Sequence, residues 1–208
     1  MKSGTTYLQS RLARHAAAPD SGLDLVAGFG TQARAVKAVL AAPSSPAALA
    51  AWTDIAEKAR AFEGDVAIVS MEFLSFARPA SVDAFLSVLD GLEVQVLLVV
   101  RDQFGAIPAQ WQTFARLRGT DAWATYLRRI DPARMRPGDE RTRAYRSFHR
   151  AQDVDLMVDR WTSHPRVDRF DAITMPAGRT DRSGPSAPFD LWSTFAEAGT
   201  DPASQLAP

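Results

Sequence analysis

The first residues of the chain have the composition of an anion-binding turn. A lysine, a glycine and three hydroxyl side chains come together in Lys2, Ser3, Gly4, Thr5 and Thr6. Glycine allows the backbone to curve closely around an anion, so the N–H groups from Ser3 to Thr6 can point inward. A helix that begins near Thr5 adds the positive end of its dipole, and Lys2 adds a full charge. These residues are therefore predicted to bind a phosphate group; the alternative is an ordinary capped helix start.

Arg101 is a second candidate for anion binding, because it follows a predicted strand. Residues 94–100 form a continuous apolar run with several β-branched side chains, which is typical of a strand buried on both faces of a sheet. Ligands of parallel sheets bind at the carboxyl ends of the strands, which is where Arg101 stands. The residues allow two interpretations: an anion contact, or a strand-end arginine paired with a neighbouring carboxylate.

Glu72 follows a third apolar run, which lies within residues 65–74 and is also predicted to be a strand. The run leads into Ser70-Met71-Glu72, so a carboxylate is expected at a partly buried strand end. Carboxylates at such positions serve as general bases when a substrate proton lies within hydrogen-bond reach. The alternative is a structural glutamate that caps the next helix or pairs with an arginine.

The first of these segments resembles the 5′-phosphosulfate loop of sulfotransferases, which is written P-K-S-G-T-T. The matching residues here are Lys2, Ser3, Gly4, Thr5 and Thr6. The resemblance implies that Lys2 is catalytic and reaches the bridging oxygen between phosphate and sulfonate. It also implies that all five residues bind the sulfonate donor, 3′-phosphoadenosine 5′-phosphosulfate (PAPS), at its 5′-phosphate, and that no metal is needed.

The stretch after Arg101 resembles a bacterial branch of the same family, in which Pro-Ser-x-Trp-Gln follows the arginine. Residues 108–112 read P-A-Q-W-Q, so Ala109 replaces the serine. The resemblance implies that Arg101 grips the 3′-phosphate of PAPS. It also implies a catalytic base near the end of another strand, and Glu72 is assigned that role because Met71 stands where this branch often has histidine. Loss of the serine hydroxyl would weaken donor binding by about 1.5–3 kcal/mol.

The expected activity is transfer of sulfonate to a hydroxyl or amine of a small-molecule or glycan acceptor. A P-loop nucleotide kinase or NTPase is the runner-up, because it shares the loop and strand pattern. Its lysine directly follows the second glycine of the loop, whereas Thr5 follows Gly4 here. A non-catalytic, degenerate sulfotransferase fragment is the third interpretation, favoured by Ala109, Met71 and the lack of a strand before the phosphate loop.

The sequence predicts a single sulfotransferase-like globular domain at residues 1–199, which is expected to be incomplete at both ends, and a flexible tail at 200–208. The chain has 208 residues, 46% hydrophobic and 23% charged, enough to bury a sizeable core. Its formal net charge is zero, so no general attraction to nucleic acid or to a membrane is expected. Cysteine is absent and the three histidines lack metal-binding spacing, which predicts no metal site. Met1 leads into a polar loop instead of an apolar signal segment, which predicts a cytoplasmic protein.

The order of elements predicts an α/β fold, with a P-loop-like parallel sheet flanked by helices and a mostly helical C-terminal half. The segments expected to be helical are 6–17, 31–41, 46–63, 81–89, 107–118, 120–130 and 143–161. Strands are expected at 23–29, within 65–74, and at 94–100 and 171–176. A strand should precede the phosphate loop, yet only Met1 precedes Lys2. We therefore expect the first strand to be missing from this sequence and the real start to lie upstream.

Residues 131–143 form a charged connector that contains proline and glycine. Its arginines are Arg134, Arg136, Arg141 and Arg143. In sulfotransferases, helices inserted at this point contact the acceptor, so one interpretation is that these arginines attract an anionic acceptor. The other is a solvated face, since charge-rich connectors are usually exposed.

Overall fold

A computed structural model describes residues 5–18 and 22–175 and gives an α/β fold that is mostly helical. The helices are α1 (Thr5–Ala16), α2 (Gly28–Ala41), α3 (Pro46–Arg60), α4 (Pro79–Ser87), α5 (Gln103–Arg116), α6 (Trp123–Ile130), α7 (Arg143–Gln152) and α8 (Val154–Thr162). The strands are β1 (Leu23–Leu25), β2 (Val66–Ile68), β3 (Gln95–Arg101) and β4 (Arg169–Met175), and two 3₁₀ helices span Glu72–Phe76 and Asp139–Arg141. The predicted tail at 200–208 lies outside the described residues.

The strands form two parallel pairs. β1 lies beside β2, with Leu23 opposite Val66. β3 lies beside β4 along its whole length, starting with Gln95 opposite Arg169. Within residues 5–18 and 22–175, no strand pairs with the second edge of β2 or of β3, so each pair is a sheet of its own. Parallel strands linked through helices agree with the predicted α/β class.

The main hydrophobic core is shared by α2, α3 and α4. Ser45 precedes α3 in an extended conformation and Pro46 is its first residue, as predicted, although the Ser45 side chain makes no capping bond. Trp52 of α3 donates from Nε1 to the carbonyl oxygen of Phe85 in α4 at 2.8 Å, and the two rings meet edge to face. Both strand pairs rest on this core, through partly buried apolar side chains that include Val69, Val96 and Phe170.

Two predicted strands are shorter in the structure. The strand predicted at 23–29 ends at Leu25, because Ala27 and Gly28 both adopt positive φ angles, 59° and 68°, that turn the chain into α2. The run within 65–74 is extended only in β2 and then forms the 3₁₀ helix Glu72–Phe76.

Two further predictions are wrong in detail. The single helix predicted at 143–161 is broken into α7 and α8, because the Asp153 side chain accepts the N–H of Leu156 at 3.1 Å and starts a new helix. β3 is half-buried instead of buried on both faces. This burial fits a strand that has one neighbouring strand among the described residues.

Helices α5, α6 and α7 enclose a second, smaller core. Its buried side chains are Phe114, Tyr126, Ile130, Ala144 and Phe148. The Tyr126 side chain is fully buried and its hydroxyl has no hydrogen-bond partner in the described part of the chain. Burial raises the pKa of this hydroxyl, because an anion is poorly solvated there. The core holds α6 against the inner face of α7.

Candidate functional site

The start of α1 lies next to the carboxyl end of β2. Thr5 is the first residue of α1, so the helix begins where the predicted phosphate loop ends. One turn later, Gln9 donates from Nε2 to the carbonyl oxygen of Ser70 at 2.8 Å. Leu8 and Leu12 are buried and hold α1 against the rest of the fold. The first turns of α1 are thereby fixed close to the segment that leads into the Glu72–Phe76 helix.

The phosphate contacts themselves remain predictions. Lys2, Ser3 and Gly4 lie outside the described residues, and so do the side chains of Thr5 and Thr6.

Gln32 fixes the carboxyl ends of β1 and β2, a role that sequence reasoning missed. Its side chain is fully buried. Nε2 donates to the carbonyl oxygens of Val26 at 2.8 Å and Ile68 at 3.2 Å, and Oε1 accepts the N–H of Ser70 at 3.0 Å. A buried amide is tolerated because its polar groups are hydrogen-bonded. The sequence signal that could have indicated this role is a polar glutamine on the apolar face of α2, four residues before Val36.

Glu72 is exposed, so the predicted partly buried strand end is wrong. β2 ends at Ile68, and Glu72 is instead the first residue of the 3₁₀ helix that follows. In the described residues no ion pair involves Glu72, and its backbone carbonyl accepts the Ser75 hydroxyl at 2.9 Å. The carboxylate is therefore accessible to a substrate. Glu72 stands two residues after Ser70, which Gln9 of α1 and Gln32 of α2 both contact.

Arg101 ends β3 at the carboxyl edge of the second strand pair, as predicted. Its Nε lies 3.6 Å from Asp102 Oδ2, while Asp102 Oδ1 accepts the N–H of Gly105 at 2.6 Å and caps α5. The guanidinium lies over the first turn of α5: a Cβ at position 105 would come within 2.9 Å of Arg101 Nε. The neighbouring carboxylate predicted as the alternative partner is thus present, and the Arg101 side chain remains 39% exposed.

The segment after Arg101 is part of α5, with Pro108 inside the helix. Ala109 stands where the resembling branch has serine, and its carbonyl accepts the Thr113 hydroxyl at 3.1 Å. Trp111 has a structural role, since its Nε1 donates to the carbonyl oxygen of Asp121 at 3.2 Å and its ring meets Trp123 edge to face.

A pocket of about 430 Å³ lies along α7. We name it the arginine pocket; its lining residues are Phe76, Arg143, Arg146, Ser147 and Arg150. α7 presents these arginines because Ala144, Phe148 and Ala151 occupy a different, buried face of the helix. Phe76 ends the same 3₁₀ helix that Glu72 begins.

The charges around the arginine pocket repel one another. Burial lowers the pKa of Arg150, and the nearby charges of Arg78 and Arg146 lower it further. Burial likewise lowers the pKa of Arg160 in α8, as does Arg150, while Asp153 acts in the opposite direction. Arg160 donates to the carbonyl oxygens of Ser75 at 3.2 Å and Ala77 at 2.5 Å, which binds the end of the 3₁₀ helix to α8.

The connector at residues 131–143 is organised by a separate set of charges, which we name the ion-pair network. Its members are Asp121, Arg128, Arg129 and Asp139. Asp139 is buried, pairs with both arginines and accepts the N–H of Arg136 at 2.7 Å. The hydrogen bond from Arg136 is the main cause that lowers the pKa of Asp139, and Arg128 and Arg129 contribute.

The four connector arginines, which were predicted either to attract an anionic acceptor or to form a solvated face, therefore have different environments in the structure. Arg134 and Arg141 have side chains exposed by 80% and 89% and pair with Asp131 and Glu140. Arg143 alone among them lines the arginine pocket. Sequence reasoning missed Arg146 and Arg150; the available signal was their spacing, three and seven residues after Arg143 on one helical face.

The chain matches no family model, no curated protein and no solved structure.

Two further features of the described ranges bear on chemistry. Within them, no cluster of three or more histidine, aspartate or glutamate side chains is placed to hold a metal ion. The eight helices described are all too short or too polar to cross a bilayer. The sites that remain are the edge formed by α1, Ser70 and Glu72, the strand end at Arg101, and the arginine pocket.

Proposed function

We propose that the chain transfers the sulfonate group of PAPS to a hydroxyl or amine of a small acceptor. The observation that carries the proposal is the arrangement at the start of α1. In the sequence Lys2, Ser3 and Gly4 directly precede this helix, and the Gln9 hydrogen bond keeps the helix beside the segment that leads to Glu72. A phosphate held at the amino end of α1 would therefore lie on the same edge as the candidate base.

The residues around Arg101 fit the donor's 3′-phosphate in part. Glycine at position 105 leaves room for the guanidinium over the first turn of α5, a space that any Cβ would fill. A guanidinium at a strand end suits a phosphate dianion. Ala109 supplies no hydroxyl, so the affinity for the donor is expected to be lower than a serine at this position would give.

The proposed transfer breaks the bond between sulfur and the bridging oxygen of the 5′-phosphate and forms one from sulfur to the acceptor atom. Glu72 accepts the proton that the acceptor hydroxyl or amine loses. Lys2 neutralises the charge that develops on the departing phosphate oxygen. The amides from Ser3 to Thr6 hold that phosphate, and adenosine 3′,5′-bisphosphate leaves.

Transfer of radiolabelled sulfonate from PAPS to a panel of phenols, amines and sugars tests this assignment. The full chain should label at least one acceptor, and Lys2→Ala should lower the rate by about 100-fold or more, because a charge that acts on the leaving group is lost. Lys58→Ala is the matched control, since Lys58 is an exposed lysine at the end of α3. Equal rates for the two variants would refute the role of Lys2.

A non-catalytic binding or assembly module is the second candidate, and the separation of the strand pairs favours it. In the described residues no strand joins β2 to β3, although the phosphate loop of the proposed enzyme needs a strand that fixes it. Thermal unfolding with nucleotides separates the candidates. Stabilisation by adenosine 3′,5′-bisphosphate but not by ATP with Mg²⁺ supports the sulfotransferase; no effect of either supports the module. Stabilisation by ATP with Mg²⁺ alone would indicate a P-loop NTPase.

A further inference from the structure

The arginine pocket has the size and charge of a binding site for a small polyanion. Its volume of about 430 Å³ lies in the range of ligand pockets. Three of its five lining side chains are arginines, and Arg78 lies close enough to affect Arg150. Across the described ranges, no carboxylate forms an ion pair with Arg78, Arg146 or Arg150.

Such an arrangement is unfavourable without a ligand, because like charges held together on one helix face repel. Arg128 and Arg129 of the ion-pair network have carboxylate partners, Asp139 and Asp121. In the arginine pocket a bound anion would take the place of those partners. The guanidinium fork suits phosphate and sulfate oxygens, which it binds through two parallel hydrogen bonds.

We propose that the arginine pocket binds a small molecule that carries two or more phosphate, sulfate or carboxylate groups. Arg146 and Arg150 are one helical turn apart, so they can contact the same or adjacent anionic groups. Phe76 provides an apolar wall, and Ser147 a hydroxyl. This binding does not depend on the proposed transfer reaction.

The pocket also has a defined relation to the candidate base. Phe76 and Glu72 are the two ends of one 3₁₀ helix, which corresponds to about 8 Å at about 2 Å per residue. A ligand with its anionic group in the pocket would need to extend roughly that far to reach Glu72. In that position it would be the acceptor, a statement that does rest on the proposed function.

Calorimetric titration of the full chain with tripolyphosphate, at constant ionic strength, tests the proposal. Tripolyphosphate should bind the wild type at one site, and the double variant Arg146→Gln/Arg150→Gln should bind it at least about 10-fold more weakly. The double variant Arg134→Gln/Arg141→Gln removes the same charge from exposed connector positions, and its affinity should change by less than about 2-fold. Equal losses in both double variants, or no binding by the wild type, would overturn the proposal.

Two additions keep the result interpretable. Arg146→Lys/Arg150→Lys retains the charge but not the guanidinium fork, so it should fold and bind tripolyphosphate with intermediate affinity. An affinity as low as that of Arg146→Gln/Arg150→Gln would also fit loss of the fork. Full wild-type affinity in Arg146→Gln/Arg150→Gln would contradict the site. The titration is repeated with saturating adenosine 3′,5′-bisphosphate, and tripolyphosphate should still bind. If the nucleotide itself fails to bind, the proposed function fails, while loss of tripolyphosphate binding in Arg146→Gln/Arg150→Gln still supports the pocket.

Discussion

The ion-pair network and the arginine pocket are both built from arginines of the helical half, but they differ in their carboxylates. In the network, Asp121 and Asp139 are nearly buried and balance Arg128 and Arg129. In the pocket, the arginines lie on one side of α7 and form no ion pair with a carboxylate among the described residues. Arginine content alone therefore does not identify a binding surface. The absence of local charge compensation distinguishes the pocket from a structural cluster.

The largest effect is expected where a network carboxylate is removed. Asp139→Asn leaves Arg128 without its partner and weakens the bond from the Arg136 N–H, so the melting temperature should fall by at least about 5 °C. Asp90→Asn is the matched control, because Asp90 is 83% exposed and pairs with Arg166 at the surface. Its melting temperature should change by less than about 2 °C. The melting temperatures are measured by circular dichroism. Similar shifts in the two variants would mean that Asp139 of the ion-pair network stabilises the fold no more than the surface carboxylate of Asp90 does.

The ion-pair network should also make the stability of the folded chain depend on pH. The pKa of Asp139 is lower in the folded chain than in the unfolded one, so its contribution is complete above the unfolded value of about 3.9. That contribution is lost as the pH falls through the lowered pKa of the folded state. The melting temperature of the wild type should therefore fall more steeply below about pH 4 than that of Asp139→Asn. Parallel profiles from pH 6 to pH 2.5 would contradict this role.

Substitution of an arginine by glutamine should change the melting temperature in opposite directions in the arginine pocket and in the ion-pair network. Arg150→Gln relieves repulsion from Arg78 and Arg146, so at low salt it should raise the melting temperature by about 1–2 °C. Arg128→Gln should lower it, since Asp139 loses a partner. Both shifts are measured at about 20 mM and 500 mM sodium chloride, and the Arg150 effect should shrink at the higher concentration because Arg78 and Arg146 are exposed and salt screens their charges. A loss of stability in Arg150→Gln at low salt would mean that the pocket is also structural.

Local signals explain the part of the fold that sequence could predict. Pro46 starts α3 where expected, β3 ends at Arg101, and the strands are parallel. These features depend on residues close together in the chain, such as a proline at a first helical position or a continuous apolar run. The break between α7 and α8 had such a signal in Asp153, a residue type that often caps helices.

Features that depend on distant residues were not predictable in the same way. Half-burial of β3 depends on which strands lie beside it, and the hydrogen bonds of Gln32 join three segments of the chain. Which of the connector arginines line the pocket likewise depends on the three-dimensional fold. Arg134 and Arg141 have similar sequence surroundings to Arg143, yet only Arg143 contributes to the pocket.

Calorimetric titration with adenosine 3′,5′-bisphosphate tests the central claim of a PAPS-type nucleotide site most directly. The wild type should bind one molecule per chain without added metal, and Arg101→Ala should weaken binding by at least about 10-fold through loss of a contact to the 3′-phosphate. Arg116→Ala, an exposed arginine of the same helix α5, should bind like the wild type. A wild type that produces no binding heat and no shift in melting temperature with this nucleotide would contradict the account.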